Sequence, residues 1–188
     1  LWEDGRRELA LEISTNDSRQ RWEVRIRRAQ ELGGKHPAIA NALRFYETAL
    51  TFQADVATRP ANAINPAVPL RQQVDLTTVC STMPALLSLS AEHGPDQLRF
   101  EAQKVLQLGE DRWRQLVEAA LVPGGVISVA SDDFFARACL QPVAENLQVQ
   151  LPKDPNYTQN VCPACGSLPQ LAIVRPVSEG VSRSLLCS

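Results

Sequence analysis

Two cysteines two residues apart, Cys162-Pro163-Ala164-Cys165, followed by Gly166, restrict the C-terminal end of this chain more tightly than any other stretch does. The turn between them sets both sulfurs on one side, and Gly166 can take the positive φ that lets backbone N–H groups face a sulfur. Such a knuckle is half of a metal clamp. The next thiol is Cys187, followed by Ser188. C-x-x-C, a spacer of roughly twenty residues and a second C-x-x-C is zinc-ribbon or rubredoxin spacing. The pattern therefore predicts a clamp that continues past Ser188, with Cys162, Cys165 and Cys187 as ligands of zinc or iron.

Upstream the pattern is helical. A short helix is expected over Trp2 to Ile13, a polar break over Ser14 to Ser18, and a second helix from Arg19 to Leu32 closed by Gly33-Gly34. That second helix sets Trp22, Ile26 and Ala29 inward and arginines 19, 21, 25, 27 and 28 around them, with Glu23 and Glu31 interleaved. Its surface reads as solvated or facing an acidic partner. Pro37 at a first-turn position opens the strongest helix, to about Ala57. Ile39, Leu43, Tyr46 and Leu50 form one stripe on it, and Ala42, Phe45, Ala49 and Phe52 a second beside it. Both are expected to be buried.

Prolines 60, 66 and 69 make Thr58 to Gln73 an irregular surface crossing, and Asp75 to Thr82 reads as a short extended piece. Pro84 starts a helix that stops at Gly94-Pro95. A further helix runs from Asp96 to Leu108 with Leu98, Val105 and Leu108 inward, and Gly109 breaks it before one carrying Trp113, Leu116, Val117 and Ala120. Ser131-Asp132-Asp133 reads as the N-terminal cap of the next helix, which Pro142 should kink or restart. Pro152 to Asn156 is a hinge. Leu171 to Val174, a turn near Ser178-Glu179-Gly180, and Val181 to Leu186 read as a hairpin.

The fold expected is mainly α: an all-α helical domain over 1–151, then a linker and an incomplete rubredoxin-like or zinc-ribbon β module over 152–188. With 44% apolar residues the chain can build a core, and 19 basic against 21 acidic residues give a net charge of -2, which argues against nucleic acid as a partner. No run is long and apolar enough for a membrane span, and Leu-Trp-Glu-Asp-Gly-Arg-Arg is not a signal peptide. A start without methionine predicts a segment before Leu1. Five cysteines with one C-x-x-C favour metal thiolates in a reducing compartment, hence the cytoplasm.

Sulfur-only sites are usually closed, so these thiolates point to a structural or electron-carrying metal and not to catalysis. The alternative is a thiol-disulfide oxidoreductase using Cys162 and Cys165, which would want the pair to open a helix after a strand. A zinc-ribbon nucleic-acid module is weaker still, with only Arg175 and Arg183 near the knuckle. Cys80 and Cys139 read as buried small hydrophobes, His36 and His93 as loop or cap residues, and Gly124-Gly125 as too little for phosphate. No active site assembles.

Val161-Cys162-Pro163-Ala164-Cys165-Gly166-Ser167-Leu168-Pro169, followed by a strand, a glycine-containing turn and Leu185-Leu186-Cys187-Ser188, resembles the first cysteine knuckle and the start of the second in the formate dehydrogenase accessory protein family, FdhE. Arg21 to Leu32 with Pro37 to Gln53, and Val129 to Phe135, are similar to that family's helical part. The resemblance implies a cytoplasmic, non-enzymatic maturation factor that binds the catalytic subunit of formate dehydrogenase, with an α-helical domain followed by rubredoxin-like modules and iron as the module metal. Cys162, Cys165 and Cys187 would be first-module ligands, and the fourth ligand and second module would fall beyond Ser188. Assembly as a homo-oligomer is left open.

Overall fold

The computed structural model describes residues 2–122, 127–151, 161–162, 168, 171–177 and 180–186, and it is mainly α-helical. The order is α1 (Trp2–Lys35), a 3-10 turn (Pro37–Ile39), α2 (Ala40–Ala57), a second 3-10 turn (Leu70–Gln72), α3 (Leu76–Cys80), α4 (Met83–His93), α5 (Asp96–Leu121), α6 (Ala130–Gln148), β1 (Leu171–Val177) and β2 (Gly180–Leu186). The expected break at Ser14 to Ser18 is absent, because α1 runs straight through it. Ser, Thr, Asn and Asp each cost only about 0.5 kcal/mol relative to Ala inside a helix, and no glycine or proline falls in that stretch to end it.

The extended piece expected over Asp75 to Thr82 is instead α3. Asp75 caps it: its carboxylate accepts from the Thr77 N–H at 2.9 Å and from the Thr78 hydroxyl at 2.6 Å. The cap chemistry outweighs the β-branched Thr77, Thr78 and Val79 that suggested a strand. The Thr78 hydroxyl holds the Asp75 carboxyl below its ordinary value. A folded pKa below the unfolded one contributes stability above about pH 4, lost as pH falls through the lower folded value. Asp75→Ala should therefore cost about 1 kcal/mol at neutral pH and progressively less as pH falls below about 4, read from urea unfolding across that range.

α1 and α2 pack as a helical hairpin around Trp22, Ala29, Leu50 and Ala57. Only part of the broad stripe expected on α2 is buried. Phe45, Ala49 and Leu50 are inside, whereas Ile39 and Tyr46 are about half exposed. The larger core joins Val79 and Cys80 of α3, Met83, Leu86 and Leu87 of α4, Ala102, Val105, Leu116 and Val117 of α5, and Phe135, Ala136 and Cys139 of α6. Phe45 reaches it through Phe134, whose ring centroid is 5.9 Å from that of Phe45 and 5.6 Å from that of Phe135.

Pro142 does not restart α6, which continues through it to Gln148. Proline offers no N–H to the carbonyl four residues back, here that of Ala138. The buried Gln53 of α2 donates its Nε2 to this carbonyl at 2.9 Å and to the Gln141 side-chain oxygen at 3.2 Å. Gln141 donates to Glu145 at 3.0 Å, and Arg25 of α1, stacked 4.5 Å over the Trp22 ring, meets the same Glu145 oxygen at 2.9 Å. Asn146 donates to the Ala57 carbonyl at 2.7 Å and closes the end of α2. The missing N–H of one helix is thus made good by a side chain of another.

Gly109 does break α5, with φ 76° and ψ -172° inside the span. Trp113 Nε1 donates to the Val105 carbonyl at 2.9 Å across the break. Leu108, expected inward, is 55% exposed as the last residue before the backbone turns away. The crossing after α2 is held by Gln73, whose Nε2 donates to the carbonyls of Asn65 at 3.0 Å and Val68 at 2.6 Å. β1 and β2 pair antiparallel from Leu171 opposite Leu186 to Val177 opposite Gly180, longer strands than expected and with Pro176 inside β1. Either strand of a two-stranded sheet is an edge, so proline is tolerated there. Among the described residues no helix is long and apolar enough to cross a membrane.

Candidate functional site

The thiolate knuckle is described only in part. Cys162 is partly exposed and carries a free thiol. Cys165, Gly166 and Cys187 lie outside the described residues, as does the hinge expected over Pro152 to Asn156. The β1–β2 register does bear on the knuckle: it brings the chain at Leu186, next before Cys187, opposite Leu171, a few residues after Cys165. Among the described residues no three His, Cys, Asp or Glu side chains gather to hold a metal ion.

The other two described cysteines are in the core. The Cys139 thiol lies 3.8 Å from the Met83 sulfur, and burial pushes its pKa up to about 12. Burial raises that of Cys80 as well. Both thiols stay protonated at neutral pH and are inert. In the reduced, metal-free protein a thiol reagent at pH 8 should label the partly exposed Cys162 within minutes and reach Cys80 and Cys139 only on global unfolding, a difference that peptide mapping of the labelled protein reads directly. A raised thiol pKa gives stability that is full below about pH 9 and declines toward about 12 as the unfolded thiol ionises first.

His36 follows α1 without capping through its side chain, and His93 ends α4 with Nε2 3.6 Å from Glu92. Both are exposed, as expected of boundary residues. Asp132 and Asp133 do not cap α6, whose N-cap is Val129 with no side-chain bond. They sit in its first turn, where the helix dipole favours negative charge, and arginines claim them. Arg112 meets the buried Asp132 at 2.7 Å, and Arg137 Nε donates to both oxygens of Asp133 at 2.8 and 2.9 Å.

Depressions mark the helical surface among the described residues. A crevice of about 110 Å³ beneath the crossing is lined by Arg59, Asn62, Gln73, Asp75, Thr78 and Asn146, among others. It has room for a few waters and is well under the size of an ordinary small-molecule site. Larger is an open groove of about 540 Å³ between α2 and α4, with Phe52, Ala85 and Leu89 along it, Arg44 at one end and Asp55 at the other. The sequence reading placed Phe52 in a stripe expected to be buried and did not single out Arg44, Thr48, Thr51, Asp55 or Ala85. Their signal was the recurrence of Arg44, Thr48, Thr51 and Asp55 at three- and four-residue spacing, on a side of α2 away from the buried stripe.

No protein-family model, no curated protein and no solved structure matches the chain, so what it does has to be argued from its own residues.

Proposed function

We propose that this chain is part of a non-enzymatic maturation factor that binds the catalytic subunit of formate dehydrogenase in the cytoplasm and supports its assembly. The resemblance of Val161 to Pro169 to the FdhE knuckle carries the reading. The β1–β2 register supports it, since a hairpin between the knuckle and Cys187 is what a rubredoxin-like or zinc-ribbon module needs to bring its thiolates to one end. In that module Cys162, Cys165 and Cys187 would hold zinc or iron, three soft donors suited to either. The metal would tie the ribbon together when bound.

Against the dithiol oxidoreductase, strand follows the knuckle by Leu171, where a redox pair would open a helix. The buried, protonated Cys80 and Cys139 offer it no further thiolate.

Titration of purified formate dehydrogenase catalytic subunit with the chain tests the reading. Saturable binding with a Kd of about 10 µM or tighter is expected, a range of ordinary transient protein contacts. A flat titration, together with reduction of small disulfides that Cys162→Ser abolishes, would hand the case to the oxidoreductase.

A further inference from the structure

We infer that the α2–α4 groove is the surface that receives this partner, and that its occupant is an amphipathic helix with a cation opposite Asp55 and a carboxylate opposite Arg44. The inference rests on the maturation-factor reading and adds to it where the partner sits and in what form.

Arg44, Thr48, Thr51 and Asp55 follow one another along α2, and Ala85 and Leu89 face them from α4. From Arg44 to Asp55 is about 16 Å of helix, three turns. The Thr48 hydroxyl is spent on the Arg44 carbonyl at 3.0 Å and that of Thr51 on the Glu47 carbonyl at 3.0 Å. Their donors are thus used up, and what these threonines offer a partner is a methyl group and an acceptor oxygen. With Phe52, Ala85 and Leu89 they make an apolar floor too shallow to enclose a small molecule.

Two helices packed side by side leave a valley of this kind, and a third helix fills it by setting its own ridge of side chains into the valley. The charges then select which helix. Asp55 has no side-chain partner among the described residues, and Glu47 lies between, held by Gln30 of α1. Arg44 leans on the neutral Asn41 and makes no ion pair among the described residues, and Glu47, whose own partner Gln30 is also neutral, is one turn along from it. An incoming helix with apolar residues at three- and four-residue spacing, a Lys or Arg at the Asp55 end and an Asp or Glu at the Arg44 end matches both the floor and the ends. A nucleic acid would find an apolar strip with an acidic end, and a membrane surface would meet two carboxylates.

The test titrates formate dehydrogenase catalytic subunit with the native-sequence chain, with Ala85→Arg and with Asp55→Lys. Both positions are exposed, so circular dichroism and Tm should stay at the native-sequence values. Ala85→Arg should weaken binding about tenfold or more by blocking the floor, and Asp55→Lys by several-fold. In addition, p-benzoylphenylalanine in place of Thr51 should cross-link to subunit residues spaced three and four apart. If the native-sequence chain binds and both variants bind equally well, the groove is not the surface and the maturation reading stands. A cross-link map running along a strand or loop overturns the helical occupant. If the native-sequence chain does not bind at all, the reading fails and the inference with it.

Discussion

Gln53→Leu should lower the unfolding free energy by about 2 kcal/mol in urea, with little change of shape to blame for it. Gln53 is buried, and its Nε2 serves the Ala138 carbonyl that Pro142 leaves without an N–H. Leucine fills similar volume but cannot donate, so a buried carbonyl loses its partner, and Gln141 loses a donor as well. The mechanism makes a sharper claim through a second substitution. Pro142→Ala returns an N–H to α6 in register with Ala138, and in that background Gln53→Leu should cost about 1 kcal/mol less. Strict additivity of the two would mean that Gln53 matters for packing alone.

Gly109→Ala should cost about 2 kcal/mol, because the backbone there has φ 76° and ψ -172°, a region that only glycine enters freely. The penalty lies in the backbone and not in crowding, since an added Cβ would meet nothing within 4 Å. The substituted chain must either hold a strained residue or straighten α5, and straightening would pull Trp113 from the Val105 carbonyl. Gly34→Ala is the matched control. That glycine is inside α1 with open space around it and no positive φ, so alanine there should stabilise by about 0.5 to 1 kcal/mol. Equal effects at both positions would show that the break is not held in the native state.

The same glycine marks how the chain can be read. Gly109, Pro84 and Gly94-Pro95 act on their own backbone, so the starts and stops they set were legible one residue at a time, whereas Pro37 opens the short 3-10 turn ahead of α2 and not α2 itself. Cys80 and Cys139 were legible too, because their apolar neighbours in sequence remain neighbours in the core. Where a local signal competes with a partner far along the chain, the sequence misleads. Asp132 and Asp133 have the chemistry of caps, yet Arg112 and Arg137 take them. Pro142 looks like a helix breaker until Gln53 arrives from α2, and nothing near Pro142 in sequence announces it. Ser14 to Ser18 could each cap a helix, but a cap only starts one where something else stops the last.

For the candidate site, the knuckle was visible because a metal's demand for ligands is written locally as C-x-x-C. The groove was not visible, because it takes two helices to make it, and Ala85 and Leu89 of α4 meet the α2 stripe only once the core has set the helices side by side. One signal comes from ligand chemistry and the other from packing.

The thiolate assignment is tested most directly by cobalt(II) titration of the reduced, metal-free chain. If Cys162, Cys165 and Cys187 share one ion, thiolate-to-cobalt charge-transfer absorption grows to a single end point and is lost in Cys162→Ser, Cys165→Ser and Cys187→Ser alike. A chain that develops no such absorption, or keeps it undiminished when any one of the three is replaced, contradicts the shared site.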